Sequence, residues 1–195
     1  VHQLPLLLNF LNDLPEAPPE DCRVTIWLPE ETELRQSRRA LLQLCMHTIM
    51  PVVLYVRHGL HIHGKEKLKK HKAQYGDRLL TISNHVFMWD FICIMQAMRP
   101  TLGFFPAWKI NLEGPNGPLI RMAGGIPVPT ENLRPMVKFM QAMDEVFERG
   151  DWVHFFPEGS MWFYYPDIRP LKKAVFKYAV EFDRPVLPRT FSFRP

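Results

Sequence analysis

Hydrophobic and polar positions follow two different patterns along this 195-residue chain, and the change falls near position 57. Before it, residues 1 to about 30 are rich in Leu, Pro and acidic side chains: Leu4–Leu14 reads as a short apolar helix and Pro15–Asp21 as a linker. Thr32, followed by Arg35, Gln36 and Arg38, marks a helix start. Ala40–Val56 then runs ALLQLCMHTIMPVVLYV, apolar apart from a few positions such as His47 and interrupted by Pro51. It falls short of the roughly 20 residues that a spanning helix needs. Three structures satisfy it: a buried helix, a helix lying in a membrane interface, or the stump of a longer segment. The first two are the expectation, with Pro51 kinking or ending the first part.

From Gly59 onward, short β-rich runs alternate with helical stretches. Leu60–His63 reads as a strand closed by Gly64. Leu79–Ser83 (LLTIS) is a continuous apolar run, the kind buried on both faces. Phe87–Met98 is an expected helix that stops before Pro100, and Leu102–Phe105 a short strand. Pro118–Ala123 is an expected helix, closed by Gly124 and Gly125, and Ile126–Val128 a strand. Met136, Phe139, Met140, Met143, Val146 and Phe147 recur at helical spacing before Gly150, a stripe for core packing. Trp152–Phe156 is a strand, Leu171–Phe182 a helix and Pro185–Leu187 a last strand. No internal repeat is visible. The expected fold is α/β: a mostly parallel mixed sheet flanked by helices, with active groups at strand ends.

Composition changes this picture little. Hydrophobic residues at 47% and charged residues at 23% are an ordinary globular balance. The 19 prolines against 10 glycines indicate short elements joined by stiff turns. A net charge of +4 and a pI near 9.0 suit anionic partners without choosing among them. Lys65–Lys72 (KEKLKKHK) reads first as a solvated face. Basic and aromatic residues do not interleave as in a nucleic-acid module, so nucleic acid is not an expected partner. Cys22, Cys45 and Cys93 form no CxxC pair and read as buried, reduced thiols in a cytosol-like compartment. His61 and His63 share a strand face but lack a third ligand, so no metal is expected. The chain starts at Val1 and shows no signal peptide, so something ahead of it is expected to have been removed or left out.

Candidate chemistry concentrates in three segments. In Ser83-Asn84-His85-Val86-Phe87-Met88-Trp89-Asp90, His85 follows a buried strand and Asp90 comes five positions later. On one regular helix the two would face apart; with His85 in the turn and Asp90 in the first helical turn they can meet. A carboxylate on one imidazole nitrogen fixes the tautomer and raises the basicity of the other. No GxSxG and no comparable cysteine supplies a nucleophile, which suits a reaction in which a substrate hydroxyl attacks. A structural His–Asp hydrogen bond is the competing reading. In Val153–Ser160 (VHFFPEGS), Glu158 stands at a strand end beside Gly159, where α/β proteins bind ligands, or is a surface carboxylate in a turn. Gly124–Pro129 opens a strand, and its glycines allow close approach or simply end a helix.

Together these segments resemble the glycerolipid acyltransferase family: the lysophosphatidic-acid acyltransferases, often called PlsC-like, and their tafazzin relatives. Asn84-His85 with Asp90 matches the family's first motif, Gly125–Val128 resembles the second, Phe156-Pro157-Glu158-Gly159 matches the third and Pro185–Pro188 resembles the fourth. Order and spacing fit over roughly Leu60–Pro188, and Gly150–His154 is particularly tafazzin-like. The resemblance implies His85 and Asp90 as catalytic base and orienter. It implies substrate contacts from Asn84, Gly125, Phe156, Pro157, Glu158, Gly159 and Ser160. The implied donor is an acyl thioester, acyl-CoA or acyl carrier protein, acting as co-substrate with no further cofactor. The implied acceptor is a lysophospholipid or glycerol-phosphate hydroxyl. In tafazzins another phospholipid is the donor.

Two departures stand out. The arginines usual in the second and third motifs are replaced here near Pro129-Thr130 and at Ser160-Met161, which argues against simple lysophosphatidic acid as acceptor. Arg134, Arg169, Lys172 and Lys173 are candidate substitutes. A non-catalytic lipid-binding protein on the same fold is a further alternative. Residues 1–56 are expected to be a helical, membrane-associating segment and 57–195 the acyltransferase domain. Because the chain stops soon after the fourth motif, an incomplete domain is among the expectations. The expected location is a phospholipid membrane surface, on its cytoplasmic face.

Overall fold

The computed structural model describes residues 33–76, 79–99, 103–128 and 133–193. The readings made of Leu4–Leu14, Pro15–Asp21, Cys22, Thr32 and Pro129-Thr130 fall outside these residues. Among the described residues the helices are α1 (Glu33–His58), α2 (Lys65–Tyr75), α3 (Asp90–Met98), α4 (Lys109–Glu113), α5 (Gly117–Met122), α6 (Leu133–Glu148) and α7 (Ala174–Glu181). The strands are β1 (Leu80–Ile82), β2 (Gly103–Trp108), β3 (Gly125–Val128), β4 (Trp152–Phe155) and β5 (Val186–Pro188). They form one sheet in the order β3-β2-β4-β1-β5. Every pairing among them is parallel, so none of the antiparallel pairing that a mixed sheet allows is present among the described residues.

Alternation along the strands sorts their side chains into two cores. Leu80, Ile82, Val153 and Phe155 face α6 and α7, where they meet Phe139, Met143, Val146, Phe147, Val175 and Ala179. The helical stripe of Met and Phe is therefore core packing, as its spacing requires. Leu79 and Trp152 point to the opposite face and pack with Phe91, Ile94, Met95 and Met98 of α3, Met46 of α1 and Ala123 after α5. The result is a three-layer α/β/α arrangement. Gly103 belongs to this second core: a Cβ there would lie 2.2 Å from the ring of fully buried Trp152.

Several local expectations change. Leu60–His63 is irregular rather than a strand, with His61 and His63 both exposed. Among the described residues no strand pairs with it. The stretch after Pro51 stays helical, and α1 continues to His58. Pro51 has no N–H for the carbonyl of His47, and the Arg99 guanidinium donates to that carbonyl instead, at 3.2 Å. With this extension Ala40–His58 becomes a 19-residue helical stretch long and apolar enough to cross a membrane, and only 12% of it is buried. It is thus not the buried helix that was one of the two favoured readings. Cys45 is half-buried and Cys93 buried. Finally, α3 begins at Asp90 instead of Phe87, for a reason given by the site itself.

The topology positions that site. β1 and β4 are neighbours, yet the chain leaves β1 through α3 toward β2 and leaves β4 through α7 toward β5, on opposite faces of the sheet. Diverging exits from adjacent parallel strands open a crevice at their carboxyl ends. His85 follows β1 into it, and Phe156–Ser160 follow β4.

Candidate active site

His85 and Asp90 meet. The Nδ1–H of His85 donates to Asp90 Oδ2 at 3.0 Å. The same oxygen accepts the backbone N–H groups of Val86 (2.7 Å) and Phe87 (3.0 Å). These bonds explain the late helix start: residues 86–89 wrap back over the carboxylate, and the helix begins only at the residue that carries it. Asp90 is fully buried at the N-terminus of α3, where the helix dipole favours its negative charge. His85 keeps about a quarter of its side chain exposed, 26% against 0% for Asp90. Among the described residues no protein group hydrogen-bonds its Nε2. With Nδ1–H given to the carboxylate, Nε2 is left with the lone pair, an arrangement that can accept a proton.

The segment after β4 braces this histidine from two sides. Phe156 stacks on the imidazole with ring centroids 3.9 Å apart and planes 16° from parallel. Glu158 Oε2 accepts the His85 backbone N–H at 3.0 Å. Arg169 then locks Glu158: its N–H donates to Oε1 at 2.9 Å and its guanidinium to Oε2 at 2.8 Å. The guanidinium also reaches the hydroxyl of Ser160 at 3.0 Å and the Ser160 carbonyl. Burial alone would raise the Glu158 carboxyl, but the bonds from His85 N–H and Arg169 outweigh it and hold the group below its ordinary value. Glu158 is therefore ionised and braces the His85 turn. Pro157 is buried and its carbonyl accepts Lys172 N–H at 2.8 Å. Gly159 turns the chain at φ +81°, donating to Phe156 O at 3.0 Å.

Two expected site residues are placed differently from these. Asn84 is buried, and its amide pairs both ways with the backbone of Phe191 (3.0 and 2.8 Å), so it fastens the chain after β5 to the His85 turn. Gly125 is not brought to the cluster: it lies on edge strand β3, separated from β1 by β2 and β4, and pairs with Phe105. Of the candidate cations, Arg169 is engaged by Glu158 and Ser160 and only 10% of its side chain is exposed. Lys173 is exposed on the approach to α7, and Arg134 lies on α6.

Sequence reasoning missed a polar row beneath the site. Thr81, Ser83 and His154 lie on the α3 face of the sheet, all buried. His154 Nδ1 is 2.8 Å from Thr81 Oγ1, and Nε2 is 3.2 Å from Ser83 Oγ, which also donates to Asn84 O at 2.9 Å. Burial, then the nearby Arg189 and His85, push His154 well below its ordinary range, so the ring is neutral. Two arrangements fit: Thr81 hydroxyl to Nδ1 with Nε2–H to Ser83 and Ser83 hydroxyl to Asn84 carbonyl, or Nδ1–H to Thr81 with the Thr81 hydroxyl to Val153 carbonyl at 3.4 Å and the Ser83 hydroxyl to Nε2. The signal was a histidine inside the apolar strand VHFF. Cys93, one turn into α3, is pushed up to about 12 by burial and by Asp90, and stays a thiol with no nucleophilic role.

Comparison with known proteins follows the same segments. Residues 59–192 match a family model described as Acyltransferase. No curated protein matches the chain. Among solved structures, the 1-acyl-sn-glycerophosphate (LPA) acyltransferase PlsC from Thermotoga maritima is similar, at 20% identity and a TM-score of 0.40, over 79% of this chain and 74% of that one.

Proposed function

The chain belongs to the acyltransferase family, and from that premise we propose that it transfers a fatty acyl group from an acyl thioester to the hydroxyl of a lysophospholipid or glycerol-phosphate lipid. The observation that carries this is His85, oriented by buried Asp90 and with Nε2 unengaged at the carboxyl end of β1. His85 Nε2 takes the proton of the acceptor hydroxyl as its oxygen attacks the thioester carbonyl. The tetrahedral intermediate collapses, the C–S bond breaks, and the leaving thiolate receives the proton from His85. An ester and a free thiol result, and no enzyme nucleophile is needed. Asp90 holds the tautomer and offsets the transient imidazolium charge. The braced segment Phe156–Ser160 lines the acceptor side. The donor, acyl-CoA or acyl carrier protein, is a co-substrate, and no metal or redox cofactor enters the scheme. The finer form of this reading is a reaction like that of the 1-acylglycerol-3-phosphate acyltransferases, on an acceptor other than simple lysophosphatidic acid, at the cytoplasmic face of a membrane to which α1 attaches the enzyme.

A second reading, transfer from a phospholipid donor, is favoured by one observation. Arg169, one of the candidate cations beside the third motif, is engaged by Glu158 and Ser160, and Met161 stands where an arginine would meet an acceptor phosphate. The test is acceptor-dependent thiol release from a panel of acyl-CoAs with lysophospholipids of different head groups. Release with one acceptor class names the substrate. No release with any thioester, but exchange between phospholipid and lysophospholipid, would overturn the thioester donor. Binding to vesicles with neither reaction would leave a lipid-binding role on this fold.

A further inference from the structure

The catalytic turn is bordered by a rigid loop that presents aromatic side chains to solvent. Trp162, Phe163, Tyr164 and Ile168 are all exposed, Phe163 by 59% and Tyr164 by 62%, and Met88, next to Phe87 in the His85 turn, is exposed as well. This exposure is not fraying. Trp162 N–H donates to His85 O at 3.0 Å and Tyr164 N–H to Val86 O at 2.8 Å, a short ladder that ties the loop to the catalytic turn. Arg169 lies 4.6 Å over the Trp162 ring. Tyr164 is held at φ +54°, a left-handed conformation that a bulky residue rarely adopts and that marks functional segments. The loop is built to hold its rings outward.

We propose that residues 161–168 form a lip that inserts into the headgroup region of an anionic phospholipid bilayer and seats His85 at the lipid surface. This rests on the lipid-substrate reading for its purpose, while its evidence is separate. Trp and Tyr, with an apolar body and a polar edge, are the residues that favour the bilayer interface. The patch is continuous with α1: Tyr164 packs against Phe87 (6.0 Å) and Phe193 (5.3 Å), and Phe87 against His58, the last residue of α1 (5.1 Å). The same helix leaves Leu41, Leu44, Ile49, Val52, Tyr55 and Val56 exposed. It ends in Arg57 and His58 and is followed by α2, which carries Lys65, Lys67, Lys69 and Lys70 on exposed positions. An apolar helix followed by a basic one is the charge order that anionic headgroups complement. A bilayer is the one partner that meets the aromatic loop, the apolar helix and the basic helix together.

The test places a polarity-sensitive fluorophore on Phe163→Cys in the full chain, with Cys22 and Cys45 replaced by serine and buried Cys93 retained. Phosphatidylcholine–phosphatidylglycerol vesicles are added. The emission should shift to the blue and be lost when the lipids carry bromine near the headgroup end of their chains. A probe at Gln141, exposed on α6, should show neither change. A probe at 163 that stays as wet as the one at 141 on vesicle-bound protein would overturn the proposal. If the first variant does not fold, Ile168→Cys gives the same reading. Neither probe depends on turnover. A dry probe without acyl transfer refutes the catalytic reading alone, and turnover with a wet probe refutes the lip alone.

Discussion

At the scale of single residues, the account rests on which nitrogen of His85 is free. Asp90→Asn leaves an amide oxygen for the Nδ1–H and for the Val86 and Phe87 N–H groups but removes the negative charge that offsets the imidazolium. It should lower kcat by about two to four orders of magnitude with the melting temperature little changed. Steady-state kinetics beside a thermal melt checks both halves. His154 makes a different prediction. Its ring is neutral when folded, while in the unfolded chain it titrates near the ordinary 6.5. Below that pH the unfolded state binds a proton that the native state does not, so stability falls as pH falls, by up to about 1.4 kcal/mol per pH unit. Denaturant melts of the native protein and His154→Gln between about pH 6.5 and 5 should show the slope shrinking in the variant. His85 and Asp90 were legible because their offset and the preceding strand already required a turn. His154 was not, and Arg169 reads in the sequence as a phosphate-binding candidate rather than as the partner of Glu158. The partners of His154 come from β1 and are known only once strand register is known, and Arg169 sits in an aperiodic loop between Asp167 and Pro170.

At the scale of elements, strands and the long helix α6 were readable because apolar periodicity and turn residues agree there. Boundaries failed where a side-chain hydrogen bond decides them, a local one at Asp90 for α3 and a long-range one at His47 for the continuation of α1. Leu60–His63 has strand-like alternation but no pairing partner, and alternation without pairing does not make a strand. Two tests belong here. Gly103→Ala drives a methyl into the Trp152 ring and should cost about 1–3 kcal/mol in chemical denaturation. The Glu158–Arg169 pair joins the loops after β1 and β4, with side chains 0% and 10% exposed. Glu158→Gln and Arg169→Met should each cost about 3 kcal/mol by leaving a buried charge unpaired, and the double variant less than their sum. Additive costs in a double-mutant cycle would show that the pair does not brace the site.

At the scale of the whole molecule, the parallel α/β architecture followed from alternating elements, while the arrangement of α1 did not. That helix serves two surfaces: Met46 and Leu54 are buried against the domain, and Leu44, Val52 and Val56 are exposed. Removing it would open the core around Met98, so membrane attachment is better tested by Leu44→Ser, Val52→Ser and Val56→Ser together. These should weaken vesicle pelleting by tenfold or more, on the order of what loss of several apolar side chains from lipid implies, with folding retained. Unchanged pelleting would move the attachment surface elsewhere. The central claim, that His85 Nε2 takes the proton of a lipid hydroxyl, is tested most directly by acceptor-dependent thiol release from acyl-CoA by the native protein and by His85→Ala. The native protein should release thiol, and the variant, with an unchanged melt, none above background. Equal turnover by His85→Ala would contradict it.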